Sequence, residues 1–153
     1  MGIVKIIDSN LKSEICNAIL RKLPLWFGIE SAILEYVKDV GNMDTWAAYD
    51  GDVVIGFASI KRHFSESAEI YVIGVIEEFH RKGTGHMLLE VITKDLRNEG
   101  FKFLTVKTLS ESRPNKEYEQ TRNFYLKSGF ARLEEFKTLW GTENPCLLLV
   151  KNL

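Results

Sequence analysis

At 153 residues and 17.6 kDa the chain is the size of one domain, long enough to close a hydrophobic core without a disulfide or a structural metal. Lys and Arg number 20 against 21 Asp and Glu, and a net charge of −1 argues against a protein whose main task is gripping nucleic acid or an anionic membrane. No apolar run approaches the ~18 residues of a membrane span. The start Met1-Gly2-Ile3-Val4-Lys5 has no signal-peptide layout, and the two distant cysteines, Cys16 and Cys146, read as reduced thiols of a cytoplasmic protein.

In chain order, Ile3 to Ile7 reads as a strand. Ser9-Asn10 then offers an N-cap for a helix through about Leu23, with Ile15, Ile19, Leu20 and Leu23 on one face. Pro24 and Gly28 punctuate the chain before a second helix from Glu30 to Val40. Thr45 to Tyr49 and Val53 to Arg62 are β-rich runs around Asp50-Gly51-Asp52, a hairpin signal. Phe64 to Ser67 is a polar turn, and Ala68 to Ile76 is a further strand. A charged, glycine-bearing loop follows, opening a helix from Thr84 to Asn98 on which Met87, Leu88, Val91, Ile92 and Leu96 keep a helical period and Gly100 supplies the stop. Phe101 to Lys107 is a strand, Tyr118 to Lys127 a helix, and Phe130 to Lys137 and Pro145 to Lys151 two last strands. The order β-α-α-β-β-β-α-β-α-β-β predicts an α/β (α+β) fold, one mixed sheet covered by helices, in a single domain over 1–153.

The loop Glu77-Glu78-Phe79-His80-Arg81-Lys82-Gly83-Thr84-Gly85 is where chemistry concentrates. Glycine lets a ligand approach the backbone, the first N–H groups of a helix lack internal partners, and Arg81 and Lys82 add positive charge: an anion-binding layout. A P-loop needs Lys after the second glycine of a longer spacing, and His86 follows Gly85 here. A dinucleotide fingerprint needs a third glycine where Leu88 stands and an acid at the end of the next strand, which closes on Val106-Lys107. What remains is the pyrophosphate of coenzyme A.

On these residues the chain resembles the GNAT superfamily of acyl-CoA-dependent N-acetyltransferases. The family's Arg/Gln-x-x-Gly-x-Gly/Ala after a strand ending in Val is matched by Val75 through Gly85, with His80 in place of the usual Arg or Gln, and Met87-Leu88-Leu89 follows. The late segment Phe124-Tyr125-Leu126-Lys127-Ser128-Gly129-Phe130 matches too, with a Tyr four residues before Gly-Phe. The resemblance implies a mostly antiparallel sheet with a splayed central strand pair, about four helices and acetyl-CoA as donor. Under it, Val75 would help hold the thioester carbonyl. The segment His80, Arg81, Lys82, Gly83, Thr84, Gly85 and His86 would take the pyrophosphate, through the amides from Arg81 onward.

The resemblance also implies catalytic roles. Tyr125 would protonate the leaving thiolate; packing at a helix end is its structural alternative. Glu69, six residues before Val75, sits in a segment similar to the base-bearing strand of the histone-acetylating branch, and a solvent-facing strand acid is its alternative. Alternation puts Glu69, Tyr71, Ile73 and Val75 on one face. His63, near the end of a strand beside the splay, is a candidate lining of the acceptor site and reads more readily as a surface histidine; Cys146 reads as a buried thiol, and His80 and His86, six apart, as no metal site. Trp26, Phe27 and Trp140 fall in segments that line the acceptor cleft in the family and are equally candidates for core packing. The expected reaction is direct acetyl transfer from acetyl-CoA to a primary amine of a small molecule or peptide. The expected partners are those two substrates, with no nucleic acid or membrane, and the family's last strands often mediate a homodimer. The alternative from another class is a non-catalytic acyl-CoA-binding or sensing module, against which Tyr125 weighs.

Overall fold

The computed structural model describes all residues 1–153. Its elements are β1 Gly2–Ile6, α1 Ser9–Leu20, α2 Glu30–Asp39, β2 Asp44–Asp50, β3 Val53–Arg62, β4 Ser67–Val75, α3 Thr84–Asn98, β5 Phe103–Leu109, α4 Lys116–Lys127, β6 Ala131–Phe136 and β7 Cys146–Asn152, with short 3-10 turns at Val40–Asn42 and Glu77–Phe79. The strands form a seven-stranded mixed sheet in the order β1-β2-β3-β4-β5-β7-β6. The chain clusters into two compact units, one of Met1–Lys61 with Tyr71–Asp95 and one of Arg62–Ile70 with Leu96–Leu153.

In the first unit β1, β2 and β3 pair antiparallel, from Gly2↔Tyr49 to Ile6↔Thr45 and from Asp44↔Ile60 to Asp50↔Val53. The turn Gly51-Asp52 works because Gly51 takes φ +59°, which glycine reaches without a Cβ clash. The buried stripe of α1 is Ile15, Cys16, Ile19 and Leu20. It packs so closely on the end of β4 that a Cβ on Gly74 would come within 3.1 Å of both Ile19 and Leu23. Three side chains tie α1 to the next helix and its exit: Ser9 to the Gly41 carbonyl, Ser13 to Val37 and Lys12 to Met43.

That tie explains a one-residue difference from expectation. Ser9 spends its hydroxyl on Gly41, and the helix is capped instead by Asp8, whose carboxylate accepts from the Leu11 amide at 2.9 Å. The helix also stops at Leu20 rather than Leu23. Lys22 and Leu23 bond three residues back, tightening the last turn, and Pro24 disfavours helical geometry in the residue before it.

In the second unit β5 pairs antiparallel with β7, Phe103↔Asn152 to Leu109↔Cys146, and β7 with β6. The first half of β4 pairs parallel with β5 from Ser67↔Phe103 to Ile70↔Val106; β4 then runs on to Val75 and β5 to Leu109. Pairing of the central two strands is thus confined to these four residue pairs. The strand expected at Phe101 begins two residues later. Gly100, at φ +93°, lets the Phe101 amide bond back to the Leu96 carbonyl, so buried Phe101 closes the helix C-terminus before the strand can start. The fourth helix begins at Lys116, two residues before the expected Tyr118, because Asn115 caps it by accepting from the Tyr118 amide at 3.0 Å.

Candidate active site

The loop after β4 is built from backbone. Ile76 continues the sheet by donating its amide to Ile55 O at 2.9 Å, and Glu77–Phe79 then makes one 3-10 turn. Arg81 follows at φ +61° and Gly83 at φ +85°. Left-handed geometry is free for Gly83 but costs a residue with a Cβ about 1–2 kcal/mol, so Arg81 is held there by its surroundings. Helix α3 starts at once, with Met87 donating to Gly83 O at 2.9 Å as its first turn closes. Thr84 at the helix start is buried, and its hydroxyl points to the Met1 sulfur at 3.5 Å, so this residue presents its amide rather than its side chain outward. Leu88, Leu89, Ile92 and Leu96 bury the other face of α3 and fix its N-terminus in place. The result is a helix N-terminus, the end that favours an anion, preceded by exposed Arg81 and by exposed Lys82, whose ammonium lies 5.3 Å from the Phe79 ring.

His80, which stands where Arg or Gln was expected, turns its side chain elsewhere. Its Nε2 lies 2.5 Å from the Val75 carbonyl, and its ring meets the edge of Trp26 at 5.4 Å. The imidazole therefore donates to the end of β4 and ties the loop to the strand that precedes it. Val75 O is thereby occupied.

In the same unit Tyr71 donates its hydroxyl to Asp39 Oδ2 at 2.5 Å and stacks edge-on against Tyr36, which in turn meets Phe27. Burial first, and then the Asp39 carboxylate, push the Tyr71 phenol well above its ordinary range, so it stays protonated. Phe27 is thus part of an aromatic row, while Trp140 is exposed. The Tyr71–Asp39 pair escaped the sequence reading, although strand alternation had put Tyr71 on the face of Glu69.

Glu69 belongs to the second unit and is not solvent-facing: 7% of it is exposed. Its Oε1 is 2.7 Å from His63 Nε2, and Lys107 Nζ lies 3.2 Å from Oε2 and 3.5 Å from Oε1. These three residues come from the end of β3, from β4 and from β5. Lys107 is the residue after the last parallel pair, Ile70↔Val106, so the cluster sits where the two strands stop pairing. Behind it Cys146 is fully buried, and burial pushes its thiol up to about 11; Lys107 draws it down and Glu69 up by less. Cys16 is pushed up to about 12 by burial. Both thiols are neutral and inert at physiological pH.

Tyr125, also in the second unit, is 3% exposed and packs its ring on Phe124 and Phe130. The Tyr-x-x-x-Gly-Phe pattern has a local cause. Gly129 takes φ +94°, and the Phe130 amide then bonds back to the Tyr125 carbonyl at 3.1 Å, ending α4 with the two rings in contact. No three His, Cys, Asp or Glu side chains are grouped to hold a metal. No helix is long and apolar enough to cross a membrane.

Residues 14–130 match the model of the acetyltransferase (GNAT) family, which is most of the chain. A mycothiol acetyltransferase from Corynebacterium efficiens is 37% identical over 57 residues, a segment that makes up 37% of this chain and 19% of that protein. Among solved structures, a GNAT-family structure from Desulfovibrio desulfuricans superimposes with a TM-score of 0.83 at 16% identity, covering 99% of this chain and 98% of that one. The aminoglycoside 6'-N-acetyltransferase from Enterococcus faecium gives 0.79 at 18% identity, over 99% and 97%. A GNAT acetyltransferase from Elizabethkingia anophelis with acetyl-CoA bound gives 0.75 at 20%, over 99% and 97%. At these identities the structural likeness speaks to the fold.

Proposed function

This chain belongs to the acetyltransferase (GNAT) family, whose members are acyl-CoA N-acyltransferases with acetyl-CoA as donor, and we propose on that premise that it moves an acetyl group from acetyl-CoA to a primary amine of a small molecule or peptide. The observation that carries this reading is the loop from Val75 to His86: a rigid helix N-terminus behind two left-handed residues, with two adjacent cations. In this reading residues 1–153 act as one N-acetyltransferase domain. The amides of Arg81, Lys82, Gly83, Thr84, Gly85 and His86 hold the pyrophosphate, and the Val75 amide meets the thioester carbonyl.

The transfer then needs three things. A neutral amine attacks the thioester carbon, forming the C–N bond as the C–S bond breaks. The departing thiolate takes the proton of the Tyr125 phenol. The proton shed by the amine leaves through the Glu69 cluster, because a lysine-like amine is mostly charged at pH 7 and its deprotonation must be assisted. The two substrates meet in a ternary complex. A homodimer through the edge strand β6, where Leu133 is exposed, completes the reading; light scattering reports it directly.

The test is a panel of primary amines (polyamines, amino sugars, amino-acid amides and peptides with free termini) incubated with acetyl-CoA, reading free CoA. The reading expects amine-dependent CoA release with at least one class. Acetyl-CoA binding without release for any of them would make the chain a sensing module instead.

A further inference from the structure

Glu69 is held too completely to be the atom that meets a substrate. Both of its oxygens are engaged, one by His63 and both by Lys107, and the residue is buried. His63 is different. Its side chain is 36% exposed, yet its position is fixed: its amide donates to Ser67 O at 3.0 Å in the tight β3–β4 turn, and its Nε2 is anchored on Glu69. An imidazole that donates one ring N–H to a carboxylate is locked in that tautomer and presents a lone pair on the other nitrogen.

We propose that His63 is the general base of the acetyl transfer and that Glu69 is its positioning residue. This deepens the acetyl-transfer reading above and rests on it. The His63 Nε2–H is donated to Glu69 Oε1, and Nδ1 takes the proton of the attacking amine, directly or through one water, as the C–N bond forms and the C–S bond breaks. The thiolate takes its proton from Tyr125; the imidazolium then returns its proton to solvent and the Tyr125 phenolate takes one back, which restores both groups for the next turnover. Lys107 balances the Glu69 charge. The charged and titratable groups of the cluster and its turn are Glu69 on β4, against His63; Lys107 on β5 and the neutral Cys146 thiol on β7, which act on Glu69; and, beside His63 in the chain, exposed Glu66 and Arg62, which is committed to Glu99 at 2.7 Å. Glu69 and His63 are therefore the proton-handling pair of this cluster, and of these two it is His63 that reaches solvent.

The test compares His63→Gln and Glu69→Gln in steady state, using the panel amine that gives most CoA release with the wild type. His63→Gln is expected to lower kcat roughly 100-fold or more, to leave KM for acetyl-CoA unchanged, and to abolish the fall of rate toward acid pH. Glu69→Gln is expected to lower kcat while keeping that acid limb. In a second variant, His63→Ala, added imidazole is expected to restore rate in proportion to its free-base form. Retention of the acid limb in His63→Gln, with its loss in Glu69→Gln, would make Glu69 the base and overturn the proposal; so would an absence of imidazole rescue in a folded His63→Ala. An inactive wild type would instead bring down the acetyl-transfer reading itself.

Discussion

The two regions to which the proposed reaction assigns tasks are built by different means. The loop from Ile76 to His86 is made of main chain: a 3-10 turn, two left-handed residues and the open end of α3. The cluster at His63, Glu69 and Lys107 is made of side chains delivered by three strands. A backbone site tolerates changes of side chain but not of conformation. A side-chain cluster tolerates small backbone changes but not the loss of one partner, since a buried carboxylate left without its cations is strongly destabilising. The difference predicts which perturbations touch binding and which touch chemistry.

The largest effect belongs to chemistry alone. Tyr125→Phe keeps the ring contacts with Phe124 and Phe130 and the main-chain bond that ends α4, and removes only the hydroxyl. It should lower kcat roughly 100-fold with KM for acetyl-CoA nearly unchanged; activity equal to wild type would remove Tyr125 from the mechanism.

Next comes the loop. Arg81→Ala and Arg81→Gly both delete the cation and should weaken acetyl-CoA binding about 5- to 10-fold alike. Only the glycine variant relieves the left-handed strain at φ +61°, so it should be the more stable of the two by about 1 kcal/mol, or ~2–4 °C. Equal melting temperatures would mean that the loop stores no strain.

A smaller effect lies outside both regions. The buried Thr108 hydroxyl on β5 has no hydrogen-bond partner. Thr108→Val keeps the shape and removes the orphaned group, and should raise stability by about 1 kcal/mol without altering KM for acetyl-CoA. A lower melting temperature would show that the hydroxyl has a partner in solution.

The smallest effect is at the surface. Glu135 accepts from the hydroxyls of Ser110 and Ser112, which hold its carboxyl below the usual range. A lowered carboxyl contributes stability that is present above its unfolded value and is lost as pH falls through the folded one. Glu135→Gln should therefore lower stability slightly at neutral pH and flatten the acid limb, so that the two stability curves converge as pH falls through the carboxylate range. A steeper limb in the variant would reverse the sign.

The same contrast explains what was legible in the sequence. Strand and helix order could be read because apolar spacing carries it, and the loop after β4 could be read because its conformation demands glycine at Gly83 and a helix start at Thr84. The element ends were harder, since they depend on who claims a hydroxyl or a carbonyl. Ser9 reads as a cap until Gly41 is brought beside it, and Phe101 reads as strand until its amide turns back to Leu96. The Tyr125 to Phe130 pattern was visible partly because it is a helix-ending device. His63 and Lys107 were not legible as partners of Glu69. The first depends on the depth of a four-residue turn, the second on the register of a parallel strand pair that brings Lys107 beside Glu69, 38 residues before it. His80 had the right address and a different task, turning inward to Val75.

Calorimetric titration with acetyl-CoA of the wild type, His63→Gln, Glu69→Gln and Arg81→Ala tests this division of labour most directly. The account predicts one-site binding of equal affinity in the first three and weaker binding only in Arg81→Ala. Binding of NAD or ATP in place of acetyl-CoA, or a loss of acetyl-CoA affinity in the His63 or Glu69 variants as large as that in Arg81→Ala, would contradict it.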